Sequence, residues 1–542
     1  MMFPTGSDTT ARRHLLIPIM PTPNGRFHLG HIAGPYLKMD LIARHLRRRG
    51  DQAWIITGTD SYESYVLRRA EEQNRDPVEV CTDYHKLIEC DLAALDIELD
   101  AFISPVSSSA CATYRELHHE WVRRMERSNG VVAVTERLPF DAVTNRYAGG
   151  CWLSGRCPDC ASPVTSYFCE DCGTHFRPEE LLEPQGRKAE DPLLWRPVTS
   201  LFLRLPEPVT ILAHLERMAV PARFRAIAER FLTRNRRLLR LSVPGDWGVP
   251  LTPDGGGPRS LFSYTGLLPY SLLCGDLHAD LTHAGSSAFA AGSDVVTVSS
   301  FGIDNTIPML VGAIGGALLD PTSKPFDHFL VNHFYQLEGE KFSTSRDHAI
   351  WVSDIVAQPR IVTDAIRYYL AKVSPDSQTR SLDVQDFVNT VNSDLAGGIS
   401  RSTGIAVERL RDLAGEPGPP PYNLLQRLES AAREQAKAFE YTSFSSADAV
   451  AVLLAWSSEV AAVRSGTDAY WWLKGLALLV WPVMPRFGGA VWDLLGGHGE
   501  PAVSRFSVPS VPDWSRPAPG FGVISRADLD PCLPRALRTV PQ

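Results

Sequence analysis

Residues 15–31 read LLIPIMPTPNGRFHLGH, in which an apolar run is followed by proline, asparagine and glycine and then by two histidines. A short apolar run that ends in proline and glycine predicts a buried strand and a turn. Apolar residues then recur at helical spacing to about residue 49, and residues 53–57 (AWIIT) predict a second strand. Strand, long helix and strand in succession form a βαβ unit, so we expect an α/β fold built on a parallel sheet.

The length and composition of the chain are those of a globular protein with several domains. Its 542 residues exceed what one hydrophobic core usually takes, so about two to four domains are expected. A hydrophobic content of 44% and a charged content of 21% exclude global disorder. The formal net charge of −8 gives no support for a nucleic-acid partner. Seven arginines between residues 223 and 240 form either a local RNA-facing patch or a solvated helix face.

No segment of the sequence predicts secretion or membrane insertion. The first residues lack a long apolar run followed by a small-residue cleavage site. The most apolar C-terminal stretch, residues 471–487, contains lysine and proline and is shorter than the roughly 20 apolar residues that span a bilayer. We therefore expect a cytoplasmic protein with no membrane partner.

Composition divides the chain into four predicted segments. Residues 1–127 carry the βαβ unit and residues 208–378 return to helix and then strand, as two halves of one α/β domain. Between them, residues 128–207 are predicted to be an insertion, because cysteine, proline and glycine are frequent and long helical periods are absent through residue 185. Residues 379–542 are mostly helical, with a Gly/Pro linker at 415–421, and are expected to form an α-helical bundle domain.

The turn after the first strand has the residue types of a phosphate site. Gly25 and Gly30 let a ligand approach the backbone, and the following helix N-terminus offers free N–H groups and a positive dipole end. His28 and His31 can donate hydrogen bonds to phosphate oxygens as charge builds in a transition state. Zinc ligands and packed core histidines have the same spacing, so the spacing alone leaves these alternatives open.

A second polar loop lies far downstream, at residues 339–346 (GEKFSTSR). Its lysine offers a point charge for a triphosphate, and its hydroxyls and backbone amides add hydrogen-bond donors. Taken by itself, the loop is also compatible with an ordinary polar connection. The candidate residues are Lys341, Ser343, Thr344, Ser345 and Arg346.

Four of the ten cysteines form a C-x₂-C-x₈-C-x₂-C pattern. Two close pairs of thiolates can close a tetrahedral site, which favours structural Zn²⁺ over a disulfide framework in a cytosolic chain. The six scattered cysteines are expected to be buried thiols. The predicted zinc ligands are Cys157, Cys160, Cys169 and Cys172.

Together the two loops resemble the signature sequences of class I aminoacyl-tRNA synthetases, which are usually written HIGH and KMSKS. In that family the two sequences flank ATP in a split Rossmann-like parallel sheet. The cysteine pattern, residues 246–250 (DWGVP) and residues 386–397 are similar to the methionyl type of the class. The resemblance covers nearly the whole chain, with the cysteines in a zinc-knuckle insertion and the helical segment in the place of an anticodon-binding domain.

The resemblance implies a site and a reaction. An amino-acid carboxylate would attack the α-phosphorus of ATP, with Mg²⁺ accompanying the nucleotide, and the aminoacyl-adenylate would then acylate tRNA. Methionine is the default amino acid, and a monomer or a homodimer is expected. The implied catalytic residues are His28, His31 and Lys341, the ATP-binding residues are Asn24, Gly30, Ser343, Thr344, Ser345 and Arg346, and the amino-acid-binding residues are Met20, Asp60 and Tyr270.

Asp60 would pair with the α-ammonium group of the substrate, because a cation taken from water needs a charged partner. A carboxylate just after the second strand is also typical of a helix N-cap, and this alternative remains open. The two interpretations differ in structure, because an N-cap directly precedes a helix.

Three departures from the family pattern bear on function. Thr344 replaces the usual second lysine of the loop, with Arg346 nearby. In residues 262–270 (FSYTGLLPY), Ser263 stands where the family has an aromatic residue over the methionine thioether, and Ile303 replaces the lysine of a Gly-Lys-Asp motif. The anticodon-reading run of the family is not recognisable, and the aromatic residues within 456–472 either stack on bases or fill a core.

The sequence leaves three functions open. The first is ligation of an amino acid, by default methionine, to tRNA. The second is that of a diverged paralogue that makes the adenylate of another amino acid for a biosynthetic or non-tRNA acceptor, which the altered pocket favours. The third is that of a non-catalytic tRNA-binding protein, against which the intact histidines and lysine argue.

Overall fold

The computed structural model describes residues 11–187, 193–251, 258–344, 346–413 and 415–539. Its central sheet confirms the predicted split, parallel α/β fold. Five parallel strands lie in the order His328–Asn332 (β14), Val296–Gly302 (β13), Arg13–Pro18 (β1), Gln52–Gly58 (β2) and Ala101–Ile103 (β3). Side chains of β1 enter a hydrophobic core on each face, with Leu16 on one side and Leu15 and Ile17 on the other. This burial on both faces explains why three successive residues of the strand, Leu15, Leu16 and Ile17, are all apolar.

The helix after β1 is continuous except for one irregular segment. Its parts are Leu29–His31 (α1), a π-helical segment at Ile32–Tyr36, and Leu37–Arg49 (α2). Gly34 has a ψ of −112° and precedes Pro35, which has no backbone N–H and so interrupts the regular hydrogen bonding. The other helices of the first half are Ser64–Gln73 (α3), Pro77–Ala94 (α4) and Cys111–Arg127 (α5).

The insertion consists of antiparallel strands. Val131–Asp141 (β4) pairs with Leu193–Arg204 (β9), and Arg146–Tyr147 (β5) and Leu238–Arg240 (β10) flank this pair. Because β10 lies beyond residue 207, this sheet joins the insertion to the second half of the α/β domain. The cysteines lie beside a small sheet of Ser154–Arg156 (β6), Pro163–Thr165 (β7) and Leu182–Gln185 (β8).

The second half of the α/β domain surrounds the sheet with short strands and helices. Residues 208–240 are expected from the sequence to be helical, and this expectation is wrong at the end of the stretch. Arg236 and Arg237 adopt positive φ angles of 49° and 62°, and the chain then pairs with β9 as β10. The remaining elements are Pro208–Arg217 (α6), Ala222–Arg234 (α7), Ser242–Pro244 (β11), Arg259–Leu261 (β12), Leu267–Thr282 (α8), Ile314–Leu319 (α9), Tyr335–Leu337 (β15), Glu340–Lys341 (β16), Val352–Val356 (α10), Thr363–Lys372 (α11) and Arg380–Leu382 (β17).

The last third of the chain is helical, as predicted. The aromatic residues within 456–472 are core residues, because Trp456, Tyr470, Trp471 and Trp472 are at most 1% exposed, and their interpretation as base-stacking groups is wrong. Their core is continuous with that of α2 and α11, so the helical segment packs directly on the α/β domain. The helices are Val384–Thr390 (α12), Arg401–Leu410 (α13), Tyr422–Ala438 (α14), Ser446–Ser458 (α15), Gly466–Val480 (α16) and Pro485–Leu494 (α17).

None of the helices in the described ranges combines the length and the apolar content that crossing a bilayer requires.

Candidate active site

The strand order places a crevice at the carboxyl ends of β1 and β13. The order reverses at β1, with β2 and β3 on one side and β13 and β14 on the other. In open parallel sheets, ligands bind outside the carboxyl ends of the strands at such a switch point. The histidine turn follows β1 directly, so it lies at this crevice.

His28 and His31 lie against each other at the start of α1. Their ring centroids are 3.8 Å apart, and the His28 backbone N–H donates to Nδ1 of His31 at 3.3 Å. Burial, and after it the neighbouring His31, lowers the pKa of His28 well below 6.5, and burial lowers the pKa of His31 to about 4. Both rings are therefore neutral near pH 7, and because Nδ1 of His31 accepts a hydrogen bond, its Nε2–H is left as a donor.

Asp91 of α4 holds the histidine turn in place, a role that the sequence analysis missed. Its Oδ1 accepts a hydrogen bond from Arg26 Nη2 at 2.5 Å, and its Oδ2 accepts one from the Phe27 backbone N–H at 3.0 Å. The Asp91 side chain is only 1% exposed, so these bonds offset the cost of burying its charge. A single aspartate in a helix far along the sequence from its partners carries no recognisable pattern.

The lysine loop folds over the histidine turn. β15 and β16 form a hairpin whose turn residues, Glu338 and Gly339, have φ angles of 50° and 79°. Phe342 follows the hairpin and stacks on His28 with ring centroids 4.8 Å apart. Ser343 and His348 then exchange two backbone hydrogen bonds of 2.9 Å, which close the loop. The two motifs therefore meet at one place, although they are distant in the sequence.

Lys341 points from this loop toward the insertion. Its Nζ pairs with the carboxylate of Glu170, and the two side chains are 52% and 43% exposed. A pair this exposed contributes about 0–1 kcal/mol, so the lysine can exchange it for a phosphate. Thr344 and Arg346 lie in the same loop, and Arg346 is exposed. Ser345 lies outside the described residues.

Asn24 lies before the two histidines and Gly30 lies between them, and both shape the turn. The carbonyl oxygen of Asn24 accepts a hydrogen bond from Arg69 Nε at 2.8 Å. A Cβ atom on Gly30 would lie 3.0 Å from both His28 and Phe342. Only glycine lets the loop approach the turn this closely.

The three predicted amino-acid-binding residues gather beside the ends of β1 and β2. Met20 is 8% exposed and follows β1, and the backbone N–H of Asp60 donates to the Pro21 carbonyl oxygen at 2.9 Å. The hydroxyl of Tyr270 donates to Thr57 Oγ1 at 3.5 Å. These contacts bring the residues to one region next to the histidine turn.

The interpretation of Asp60 as a helix N-cap is wrong. The helix α3 begins at Ser64, and its N-cap is Glu63. Burial, and after it the charge of Glu63, raises the pKa of Asp60 well above 3.8. A bound cation would relieve both effects, since it favours the ionised carboxylate.

Glu63 brings a second carboxylate to this region, which the sequence analysis missed. Glu63 is 8% exposed, and one of its carboxylate oxygens accepts a hydrogen bond from the Ser263 hydroxyl. Both residues line a cavity of about 810 Å³ between α3 and the antiparallel strands. Burial raises the pKa of Glu63 above 4.5 although Ser263 and the Ser64 backbone oppose the shift. The sequence does carry one signal for this second carboxylate. Ser263 replaces an aromatic residue of the family pattern, and the loss of the ring leaves space for a new hydrogen-bond partner.

The four predicted metal ligands converge. All their Sγ atoms lie within 4.8 Å of one another, with Cys157–Cys172 at 3.7 Å and Cys160–Cys169 at 3.5 Å. These separations exceed a disulfide bond of about 2.05 Å and match the edge of about 3.8 Å that a tetrahedron with Zn–S bonds of about 2.3 Å requires. The donor set therefore fits a tetrahedral metal ion.

Most of the clustered arginines are engaged within the protein. Arg225 pairs with Glu216, Arg237 with Glu207, and Arg240 with both oxygens of Glu136. Arg234 pairs with Asp159 and Glu180 beside the cysteines. These pairs match neither a simple solvated face nor an open RNA patch, since Arg234, Arg237 and Arg240 hold α7 and β10 to the insertion.

A split parallel sheet with a histidine turn and a lysine loop at one crevice, beside a four-cysteine knuckle, defines a class I synthetase type of nucleotide-binding domain. The family model described as "tRNA synthetases class I (M)" matches residues 15–264 and 312–403. The chain belongs to this family.

The chain is also similar to individual curated proteins and to solved structures. Methionine--tRNA ligase of Dehalococcoides mccartyi is 27% identical over 520 residues, which cover 89% of this chain and 91% of the relative. Methionine--tRNA ligase of Chlorobaculum tepidum is 23% identical, with 93% of this chain and 76% of the relative covered. The structure of Mycobacterium tuberculosis methionyl-tRNA synthetase bound by methionyl-adenylate has a TM-score of 0.69 and 18% identity and covers 94% of this chain and 99% of that one. The apo form of that enzyme has a TM-score of 0.63 and 19% identity and covers 96% of this chain and 99% of that one.

Proposed function

We propose that this protein activates an amino acid with ATP and transfers it to tRNA. One observation carries the proposal, namely that Phe342 stacks on His28 and so fixes the Lys341 loop over the histidine turn. In the first step, an oxygen of the amino-acid carboxylate forms a bond to the α-phosphorus of ATP as the bond to pyrophosphate breaks. In the second step, a ribose hydroxyl of tRNA takes the acyl group, and AMP leaves.

The residues of the crevice suit the first step. His28 and His31 are neutral donors that can bind the phosphate oxygens as negative charge builds on them. Lys341 binds the triphosphate as a point charge after it leaves Glu170. Asn24, Gly30 and residues 343–346 complete the ATP site. Such a reaction depends mostly on positioning and charge stabilisation, which the paired loops can supply.

The amino acid binds beside β2 in this proposal. Asp60 pairs with the α-ammonium group, and Met20 and Tyr270 flank the substrate. Methionine is the amino acid for which the curated relatives are named, and it is therefore the default substrate.

The proposed cofactors have separate roles. Mg²⁺ accompanies ATP and neutralises phosphate charge. Zn²⁺ is held by Cys157, Cys160, Cys169 and Cys172 and stabilises the knuckle against which the lysine loop rests. A structural role is proposed because four thiolates leave no open position for a substrate. We further propose a cytoplasmic location and a monomer or homodimer.

A second candidate is a diverged paralogue that activates a different amino acid. The observation that favours it is the hydrogen bond from Ser263 to Glu63, which places a carboxylate where an aromatic ring is expected over a thioether. The acceptor of such an enzyme is either tRNA or another molecule. A non-catalytic binding protein is disfavoured because His28, His31 and Lys341 are all in place.

The test is amino-acid-dependent exchange of labelled pyrophosphate into ATP, measured with each amino acid in turn. We expect exchange with one amino acid, and exchange with methionine alone supports the default. Exchange with another amino acid supports the diverged paralogue. Folded protein that gives no exchange with any of them would contradict the proposal. Charging of total tRNA with the active amino acid then separates the tRNA ligase from an enzyme with another acceptor.

A further inference from the structure

Glu63, which is 8% exposed, and Tyr264 line one cavity at the side-chain end of the proposed amino-acid pocket. Burial, and after it the charges of Glu63, Asp304 and Asp60, raises the pKa of the Tyr264 hydroxyl well above 10. Burial also raises the pKa of Asp304 above 3.8. Of these three carboxylates, Glu63 lines the cavity, and it does so together with Ser263.

Glu63 and Asp304 each accept a hydrogen bond from a neutral side chain. Glu63 accepts from the Ser263 hydroxyl, and Asp304 accepts from Asn305 Nδ2 at 3.0 Å. Arg240 is the buried arginine of the same cavity, but both oxygens of Glu136 already hold it at 2.6 Å. A buried carboxylate without a cation is costly, so a ligand that brings positive charge would gain by binding here.

The departure from the family pattern falls in the part of the sequence that contains this pocket. The match to the family model is interrupted between residues 264 and 312, the stretch that contains Tyr270 and Asp304. Within it, Ile303 is 2% exposed and takes the position at which the family pattern has a lysine. The residue next to Asp304 therefore carries no positive charge.

We propose that Glu63, held by Ser263, sets amino-acid specificity and selects a substrate whose side chain ends in an amine or guanidine group. The inference rests on the proposed adenylation and concerns only the side-chain end of the amino acid. Asp60 pairs with the α-ammonium group, and the second positive group of the substrate pairs with Glu63. A methionine thioether has no hydrogen to donate and would leave the Glu63 carboxylate buried with no cationic partner.

The first experiment compares amino acids on the unmodified full-length protein. Pyrophosphate exchange is measured with lysine, ornithine and arginine, and with methionine and its apolar analogue norleucine. We expect kcat/KM for the best cationic amino acid to exceed that for methionine by at least ~10-fold, since a charged hydrogen bond is at stake. A preference for methionine or norleucine would overturn the inference while leaving the proposed adenylation intact.

The second experiment tests Glu63 itself. Glu63→Gln keeps the shape and removes the charge, so kcat/KM for the cationic amino acid should fall at least ~10-fold, mainly through KM, with methionine changed less than ~3-fold. The matched control is Glu79→Gln, which removes an exposed carboxylate from α4 and should leave kcat/KM unchanged for both substrates. An equal effect of Glu63→Gln on all substrates would indicate a structural role and overturn the inference. Ser263→Ala keeps the Glu63 charge but removes the hydrogen bond that holds it, so it should lower the preference for the cationic amino acid over methionine. This variant provides the test if Glu63→Gln does not fold.

Absence of exchange with every amino acid would contradict the adenylation. In that case, calorimetric titration of the protein with lysine, ornithine, arginine and methionine tests the specificity of the pocket independently of catalysis. Binding of a cationic amino acid that Glu63→Gln weakens would support the inference. Binding of methionine alone, or of none of them, would overturn it.

Discussion

At the scale of single residues, the proposed chemistry depends on imidazole rings that burial keeps neutral. Between ring stacking on Phe342 and the backbone bond to His31, the two histidines have little freedom to rotate. Donors that are fixed before the reaction need no reorganisation when charge appears on the phosphate. His28 and His31 thus act through position, and a change in either ring should affect the rate more than substrate binding.

His28→Ala or His31→Ala should reduce pyrophosphate exchange by at least ~100-fold, because each removes a donor to the developing charge. His498→Ala, at an exposed position, is the control and should keep the full rate. Near-normal exchange by both alanine variants would remove the histidines from the site.

His118 provides a pH-dependent test of burial. It is 0% exposed, and burial lowers its pKa from 6.5 to about 4. Between those values the unfolded chain binds a proton that the folded protein does not, so His118 makes the free energy of unfolding fall as the pH falls from about 6.5 to about 4. The loss of stability over this range should be smaller in His118→Gln than in the unmodified protein, by roughly 1–3 kcal/mol. Urea unfolding at several pH values measures it, and parallel pH profiles would contradict the assignment.

At the scale of elements, the cysteine knuckle connects the insertion to the site. Glu170 lies between two of the metal-site cysteines and pairs with Lys341 of the loop. Asp159 lies between the other two and accepts from Arg234 of α7 at 2.5 Å. The knuckle therefore contacts both the lysine loop and α7.

Metal analysis should find one zinc ion per chain, because four convergent thiolates favour Zn²⁺. Cys157→Ser should lose most of the zinc and, by loosening the knuckle, make the insertion easier to cleave with a protease. The expectation that all six scattered cysteines are buried is wrong, because Cys90 is exposed on α4 and Cys111 and Cys151 are half-buried. Cys90→Ser lies outside the knuckle, and this variant should keep the zinc. A zinc-free native protein, or full zinc in Cys157→Ser, would contradict the site.

At the scale of the whole molecule, patterns with a short period could be read from the sequence, and contacts between distant segments could not. The apolar run of β1, the helix after it and the spacing of the four cysteines each have a local signature, so the parallel sheet and the convergent thiols were predictable. The contribution of Asp91 and Glu63 depends on which distant residue faces each of them, Phe27 and Ser263 respectively. The end of α7 was also missed, because the strand that replaces its last residues gains hydrogen bonds only through pairing with β9.

The most direct test of the account is a crystal structure of the protein with a non-hydrolysable ATP analogue. We predict that the triphosphate lies between the histidine turn and the lysine loop, with Lys341 Nζ moved from Glu170 to a phosphate oxygen about 3 Å away. The same map should show His28 or His31 within hydrogen-bond distance of a phosphate. A triphosphate bound away from the carboxyl end of β1, with Lys341 still paired to Glu170, would contradict the central claim.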